Sequence, residues 1–183
     1  MLEITIEKSE LWDEKNQVFI NVKDQTLQLE HSLVSLHKWE SKWHKPFLYN
    51  LEKGKLTFEE TADYVRCMTL TKNVDPNVYR GLSNKNIQEI SKYMANPMTA
   101  TTFSKVASGP KNKEILTAEI IYYYMVAFSI PSEYAKWHLN QLLTLIKVCD
   151  VKNSPPKKMS QRDILNRNSA LNEARRKQLN SKG

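Results

Sequence analysis

A mainly α-helical α+β fold is predicted, in which a helical domain carries a small N-terminal antiparallel β-sheet and a basic C-terminal helical tail. Three observations predict it. Apolar and polar residues alternate in three short segments of the first 30 residues, the period of half-buried strands. From Ser32 the apolar residues recur at spacings of three and four, the period of helices packed on one face. The charge is also uneven. The chain carries +7 overall, and residues 152–183 hold nine Lys/Arg against two acids, so residues 1–151 are neutral. Basic character confined to one segment argues against a nucleic-acid-binding domain as the body of the protein.

Taken in order, Leu2, Ile4 and Ile6 alternate with Glu3, Thr5 and Glu7. Val18, Ile20 and Val22 repeat the pattern, as do Leu27 and Leu29 after the polar turn Lys23-Asp24-Gln25. Three short strands with one hairpin are expected, with one wet face and a dry face that needs a helix packed on it. Ser32 is placed to cap a helix carrying Leu33, Leu36, Trp39 and Trp43 as far as Pro46. Thr57-Phe58-Glu59-Glu60 spells a capping box, opening a helix whose stripe includes Ala62, Val65, Cys67 and Met68. The chain turns at Asp75-Pro76, and Ser83 caps a helix with Ile87, Ile90 and Met94 that stops at Asn96-Pro97. Residues 97–112 read as a Thr/Ser-rich loop with a strand near Thr101–Phe103.

Thr117 is placed to cap the next helix. Its run Ile120 to Phe128 is apolar on every side, which predicts burial in the middle of the fold. At nine residues the run is far short of the roughly 20 that span a bilayer. Ile130-Pro131 breaks it, and Ser132 starts a helix to about Asp150. Lys136, Asn140, Thr144 and Lys147 form its polar stripe, and Leu142 and Ile146 are expected in the core. Residues 152–159 read as a stiff Pro/Lys linker. Ser160-Gln161-Arg162-Asp163 then resembles a second capping-box start, opening a helix to about Gln178 within a tail of residues 160–183. Its sparse apolar residues, Ile164, Leu165, Leu171, Ala174 and Leu179, cannot sustain a core, so the helix must dock on something or fray.

Chemistry-bearing patterns are few. Four glycines, none in a phosphate-binding loop, argue against the common nucleotide folds. Cys67 and Cys149 make neither a disulfide framework nor a CxxC motif, and a reduced, cytosolic setting is expected. The acidic, polar N-terminus MLEITIEKSE does not read as a signal peptide, and none is expected. His37, Glu40 and His44 share a helix face, as a metal site requires, but no fourth ligand stands near them in sequence. They read as side chains of a half-exposed amphipathic helix. His138 reads as a satisfied core histidine. Tyr122-Tyr123-Tyr124 point around a helix axis and form no stacking platform. Trp39 and Trp43 are expected to pack on the N-terminal sheet. No catalytic, cofactor or metal residue is assigned. The candidate site is the tail, with Arg162, Arg167, Leu171, Arg175, Arg176 and Lys177 as partner-binding residues.

The last third bears a resemblance. IPSEYAKWHLNQLLTLIKVCD, residues 130–150, is followed by PPKKMS and RDILNRNSALNEARRKQLNSKG. Trp137, His138, Leu139, Leu142, Leu143, Leu145, Ile146 and Cys149 precede the Pro/Lys linker, and Leu171, Asn172, Arg175 and Arg176 close the run. This pattern resembles the C-terminal part of the tail-assembly chaperones of long-tailed, siphovirus-type bacteriophages. LEHSLVSLHKWESKWHKPFL near the N-terminus is similar to chains of the same sort. The resemblance implies a non-enzymatic protein of the infected host's cytoplasm. It would bind the phage tape-measure protein during tail assembly without cofactor or membrane. Self-association is a further partner reading. The alternatives are a virion structural protein of the tail or head–tail junction, and a nucleic-acid-binding regulator acting through the tail.

Overall fold

The computed structural model describes residues 1–14, 17–103, 114–154 and 161–179. Among the described residues it is mainly helical, and its β-strands lie near the N-terminus. By their internal contacts the residues divide into two compact units, Met1–Cys149 and Asp150–Gly183.

Four strands open the chain: β1 (Leu2–Ile6), β2 (Ser9–Asp13), β3 (Val18–Val22) and β4 (Gln25–Leu29). β1 pairs with β4 and β2 with β3, both antiparallel. Ile6 lies opposite Gln25 and Ser9 opposite Val22, so one register runs through both pairs. The strands are therefore two legs of a single long hairpin. The expected three strands with a turn at Lys23-Asp24-Gln25 are corrected here: Lys23-Asp24 interrupts one leg rather than reversing the chain. β2 escaped the sequence reading because SELWD sets Leu11 beside Trp12 and breaks the alternation. Near the foot of the hairpin Ile4, Ile6, Leu27 and Leu29 are buried, while Glu3, Thr5 and Gln28 face out. On the distal half only Val22 is buried among the described side chains. The exit of the third helix lies along β4, where Glu30 N–H donates to Met68 O (2.9 Å) and Leu70 N–H to Gln28 O (2.8 Å).

The helices begin where caps exist. α1 (Leu33–Trp43) starts on Ser32, which exchanges bonds with Ser35, and ends on His44 in the left-handed region, whose N–H returns to Glu40 O. α2 (Phe47–Glu52) was not anticipated; it is only six residues long and starts immediately after Pro46. α3 (Phe58–Met68) has the Thr57/Glu60 capping box, and α4 (Asn84–Ala95) has one built from Ser83 and Asn86. Between them Asp75 caps a short 3₁₀ helix, Pro76–Gly81. Thr101–Phe103 form no strand. Thr101 N–H donates to Thr99 Oγ1 (3.1 Å) and Met98 N–H to Asn96 Oδ1 (2.9 Å), local bonds that compete with strand pairing.

α5 (Ala118–Ala127) corrects the expectation of all-round burial. Ala118, Ile121 and Met125 are buried, yet Tyr123 is 67% and Val126 79% exposed. The helix closes before Ile130-Pro131 with a Schellman motif: Ile130 N–H reaches Met125 O (2.8 Å), Ser129 N–H reaches Val126 O (3.1 Å), and Ser129 takes φ 54°. The helix expected from Ser132 to Asp150 is two elements, a 3₁₀ helix Ser132–Lys136 and α6 (Leu139–Asn153). The break at Trp137-His138 has a tertiary cause. His138 pairs with Ser32 in an isolated antiparallel bridge, and Leu139 N–H donates to His31 O (2.7 Å). Leu139, Leu142 and Ile146 are buried, as expected of Leu142 and Ile146. Leu143, Leu145, Val148 and Cys149 are only half-buried, so α6 is less deeply set than its composition suggests. Asn140, on the polar stripe, donates to Met94 O (2.9 Å) and Asn96 O (2.8 Å), closing the C-terminal end of α4.

α6 runs through Lys152 and Asn153, so the start of the expected linker is helical; residues 155–159 of that linker lie outside the described residues. α7 (Gln161–Leu179) occupies the span expected of the tail helix. Ser160 and the Asp163 side chain, the proposed capping box, lie outside the described residues.

Candidate protein-binding site

The six tail residues named from sequence all lie on α7 and are exposed. They do not share one face. Arg167, Leu171 and Arg175 are four residues apart and therefore stacked along one side, with Ile164 seven before Leu171 on the same side. Arg162, Arg176 and Lys177 fall on the other side around Glu173, whose carboxylate pairs with Lys177 at 2.9 Å. That pair is exposed and adds little to helix stability. Arg176 and Lys177 occupy the last turn, where cations favour the helix dipole. Ile164, Leu165, Leu171 and Leu179 are exposed. The helix thus offers apolar anchors flanked by guanidinium groups, the composition of a helix that lies in an acidic-rimmed apolar groove.

In the first unit the titratable groups hold structure together. Glu40 Oε1 accepts from Phe47 N–H (2.8 Å) and Oε2 from Ala118 N–H (2.7 Å). Burial pushes this carboxyl above its ordinary range, against the pull of those two bonds. Both oxygens of the only carboxylate in the His37/Glu40/His44 trio are thereby committed, while the His37 ring packs edge-on against Tyr122. Among the described residues no cluster of three or more His, Cys, Asp or Glu side chains is arranged to hold a metal.

Trp39 and Trp43 pack on α2 and α3, which corrects the expected packing on the sheet. Trp39 stacks on Trp43, meets Phe47 edge-on at 4.9 Å and donates from Nε1 to Glu60 O (2.9 Å). Trp43 Nε1 donates to Asp63 Oδ2 (2.8 Å). Asp63 also accepts from Lys42 and Arg66, both at 2.8 Å. Burial raises the Asp63 carboxyl, but these donors together outweigh it and hold it below the usual range. Lys45, 2.6 Å away, does the same for Glu60. The Cys67 thiol is pushed up by burial, the opposite of nucleophile activation.

Two exposed apolar features escaped the sequence reading. Trp12 and Phe19 are cross-strand partners on the distal hairpin with ring centroids 4.8 Å apart, and both are exposed. Phe19 stood out of phase with Val18, Ile20 and Val22, a signal that it faces the wet side. The other feature is the outer side of α5. No helix among the described residues is long and apolar enough to cross a membrane.

The chain matches no protein-family model, no curated protein and no solved structure. What the site can do rests on its own residues.

Proposed function

We propose that this protein is a tail-assembly chaperone of a long-tailed phage, acting in the host cytoplasm by binding the tape-measure protein, without catalysis or a cofactor. The observation that carries the reading is α7: a 19-residue cationic helix with four exposed large apolar side chains, in a unit separate from the core of residues 1–149. A long helical protein awaiting polymerisation of a tube around it exposes apolar stripes, and such stripes aggregate unless covered. A cationic helix with exposed apolar side chains suits that task. Its apolar side chains cover part of a stripe, and its arginines select acidic neighbours by bidentate pairing.

The test is co-purification of the full chain with the tape-measure protein of the same phage, using wild type and Arg175→Ala/Arg176→Ala/Lys177→Ala. The triple variant should fold normally and bind more weakly, by up to about 1 kcal/mol per charge for solvated contacts. Equal recovery of the partner at low and moderate salt would remove the basic cluster from the contact. Stable incorporation into purified particles would favour the virion structural reading. The excess positive charge of residues 152–183 favours a second reading, a nucleic-acid-binding regulator. It would replace the first if neither form binds the tape-measure protein while wild type retains nucleic acid in a salt-sensitive manner.

A further inference from the structure

We propose that His31 and His138 form an acid-sensitive latch that holds the start of α6 against the foot of the N-terminal hairpin. Both rings are nearly inaccessible, at 2% and 5% exposure, and their centroids stand 5.3 Å apart in an edge-to-face arrangement. The backbones that carry them are paired: Ser32 bridges His138, and Leu139 N–H donates to His31 O at 2.7 Å. Opening this pairing frees the first turn of α6 and the buried side chains of Leu139 and Leu142.

The hydrogen bonds require a neutral His138. Its Nδ1 lies 3.3 Å from the backbone N–H of Asn140, which can only donate, and its Nε2 lies 3.2 Å from the carbonyl of Tyr93, which can only accept. Nδ1 is therefore bare and Nε2 carries the proton. Protonating Nδ1 would set one N–H against another. His31 Nδ1 is 2.6 Å from the hydroxyl of Tyr64, which is itself fully buried and can supply the proton of that bond.

The charged and titratable groups around the pair leave little to stabilise an imidazolium. From α4, the Tyr93 ring meets His138 edge-on and its hydroxyl donates to Glu30 (2.7 Å). The Glu30 carboxylate also binds the amino terminus of Met1 (2.9 Å). Burial, the largest influence, and the Met1 ammonium oppose a charged His138, against the pull of the Tyr93 carbonyl and the Glu30 carboxylate. From α3 and α1, Cys67 and Glu40 face Tyr64. Burial, then the neighbouring His138, pushes His31 down to about 3, and burial lowers His138 as well.

The sign of the effect follows. A free imidazole titrates near 6.5, so the open state binds more protons than the closed one below that pH. The latch is fully engaged above about pH 6.5 and weakens as the pH falls. Each proton taken up on opening multiplies the open population about tenfold per pH unit, so two histidines give up to about a hundredfold.

The experiment uses the full chain. Nitrogen NMR of the imidazole rings reports tautomer and protonation, and hydrogen exchange at the Leu139 amide, corrected for the intrinsic rate, reports opening. At pH 7 His138 should be the Nε2–H tautomer, and both rings should stay neutral until the Leu139 amide opens. Its opening equilibrium should rise by well over tenfold, up to about a hundredfold, per pH unit between about pH 6 and 4. His138→Gln, which can still donate to the Tyr93 carbonyl but does not titrate, should lower that dependence to about tenfold. Rings that titrate near 6.5 with the Leu139 amide still protected would overturn the latch, as would a wild-type pH slope in His138→Gln. If that variant does not fold, the ring titration of wild type decides alone.

Discussion

Glu40 ties together more of the molecule than its place on α1 suggests. Its two oxygens take the first N–H groups of α2 and α5, so one carboxylate serves two helix N-termini. Glu40→Gln keeps one acceptor but sets an NH₂ against the second buried donor. The variant should lose about 1–3 kcal/mol, the cost of one unsatisfied buried group, read as a lower urea midpoint at unchanged slope. A loss under about 0.5 kcal/mol would show that the N-termini find other partners. The sequence made Glu40 visible as a helix residue in line with two histidines, and that pattern pointed toward metal. Its actual partners are backbone amides seven and 78 residues away. No local spacing encodes them.

At the scale of elements, the caps were the most legible part of the chain. Ser32, Thr57 and Ser83 each accept a bond from the N3 amide of their helix, as the residue types imply. Thr117 occupies the same position before α5 without making such a bond; at that end Glu40 accepts from the first amide of the helix, Ala118 N–H. The two threonines should therefore respond differently. Thr57→Ala should cost about 1 kcal/mol, and Thr117→Ala less than about 0.5 kcal/mol, by thermal or urea unfolding. Equal losses would contradict the distinction. The least legible elements were α2, too short to display a period, β2, whose adjacent Leu11 and Trp12 break the alternation, and α5. An all-apolar run shows that every side of a helix can be buried. Whether neighbours exist to cover Tyr123 and Val126 depends on the rest of the chain.

At the scale of the whole molecule, the contact division and the charge asymmetry suggest a body that folds without its tail. A chain ending at Val151 should unfold cooperatively within a few degrees of full length, by calorimetry, because the tail helix contributes little apolar burial. Loss of the cooperative transition would mean that the tail completes the core. Acid should weaken the body through two groups of residues. His31 and His138, lowered in the fold, withdraw stability as the pH falls below about 6.5. Glu60 and Asp63, also lowered, lend stability that is present above the ordinary carboxylate range near pH 4 and is lost as the pH falls through their depressed values. The urea midpoint should thus begin to fall near pH 6 and steepen below 4. A flat profile down to pH 5 would show that the buried histidines open at no proton cost.

The sequence by itself determined the fold class, most of the helix starts, the core positions Leu142 and Ile146, and the segregation of basic charge into the tail. These follow from periodicity, capping chemistry and composition, which act over a few neighbouring residues. The tail residues were also legible as a group, since charge is a property of the chain. Their division into an Arg167–Leu171–Arg175 side and an Arg162–Arg176–Lys177 side follows from the helix phase of α7. Only the tertiary structure decided that the hairpin legs share one register, that Trp39 and Trp43 pack on α2 and α3, and that the helix expected from Ser132 breaks at His138. In each case the deciding partner lies far away in sequence: Ser32 pairs with His138 across more than a hundred residues, and the backbone bond from Leu139 to His31 outweighs the local preference to continue a helix.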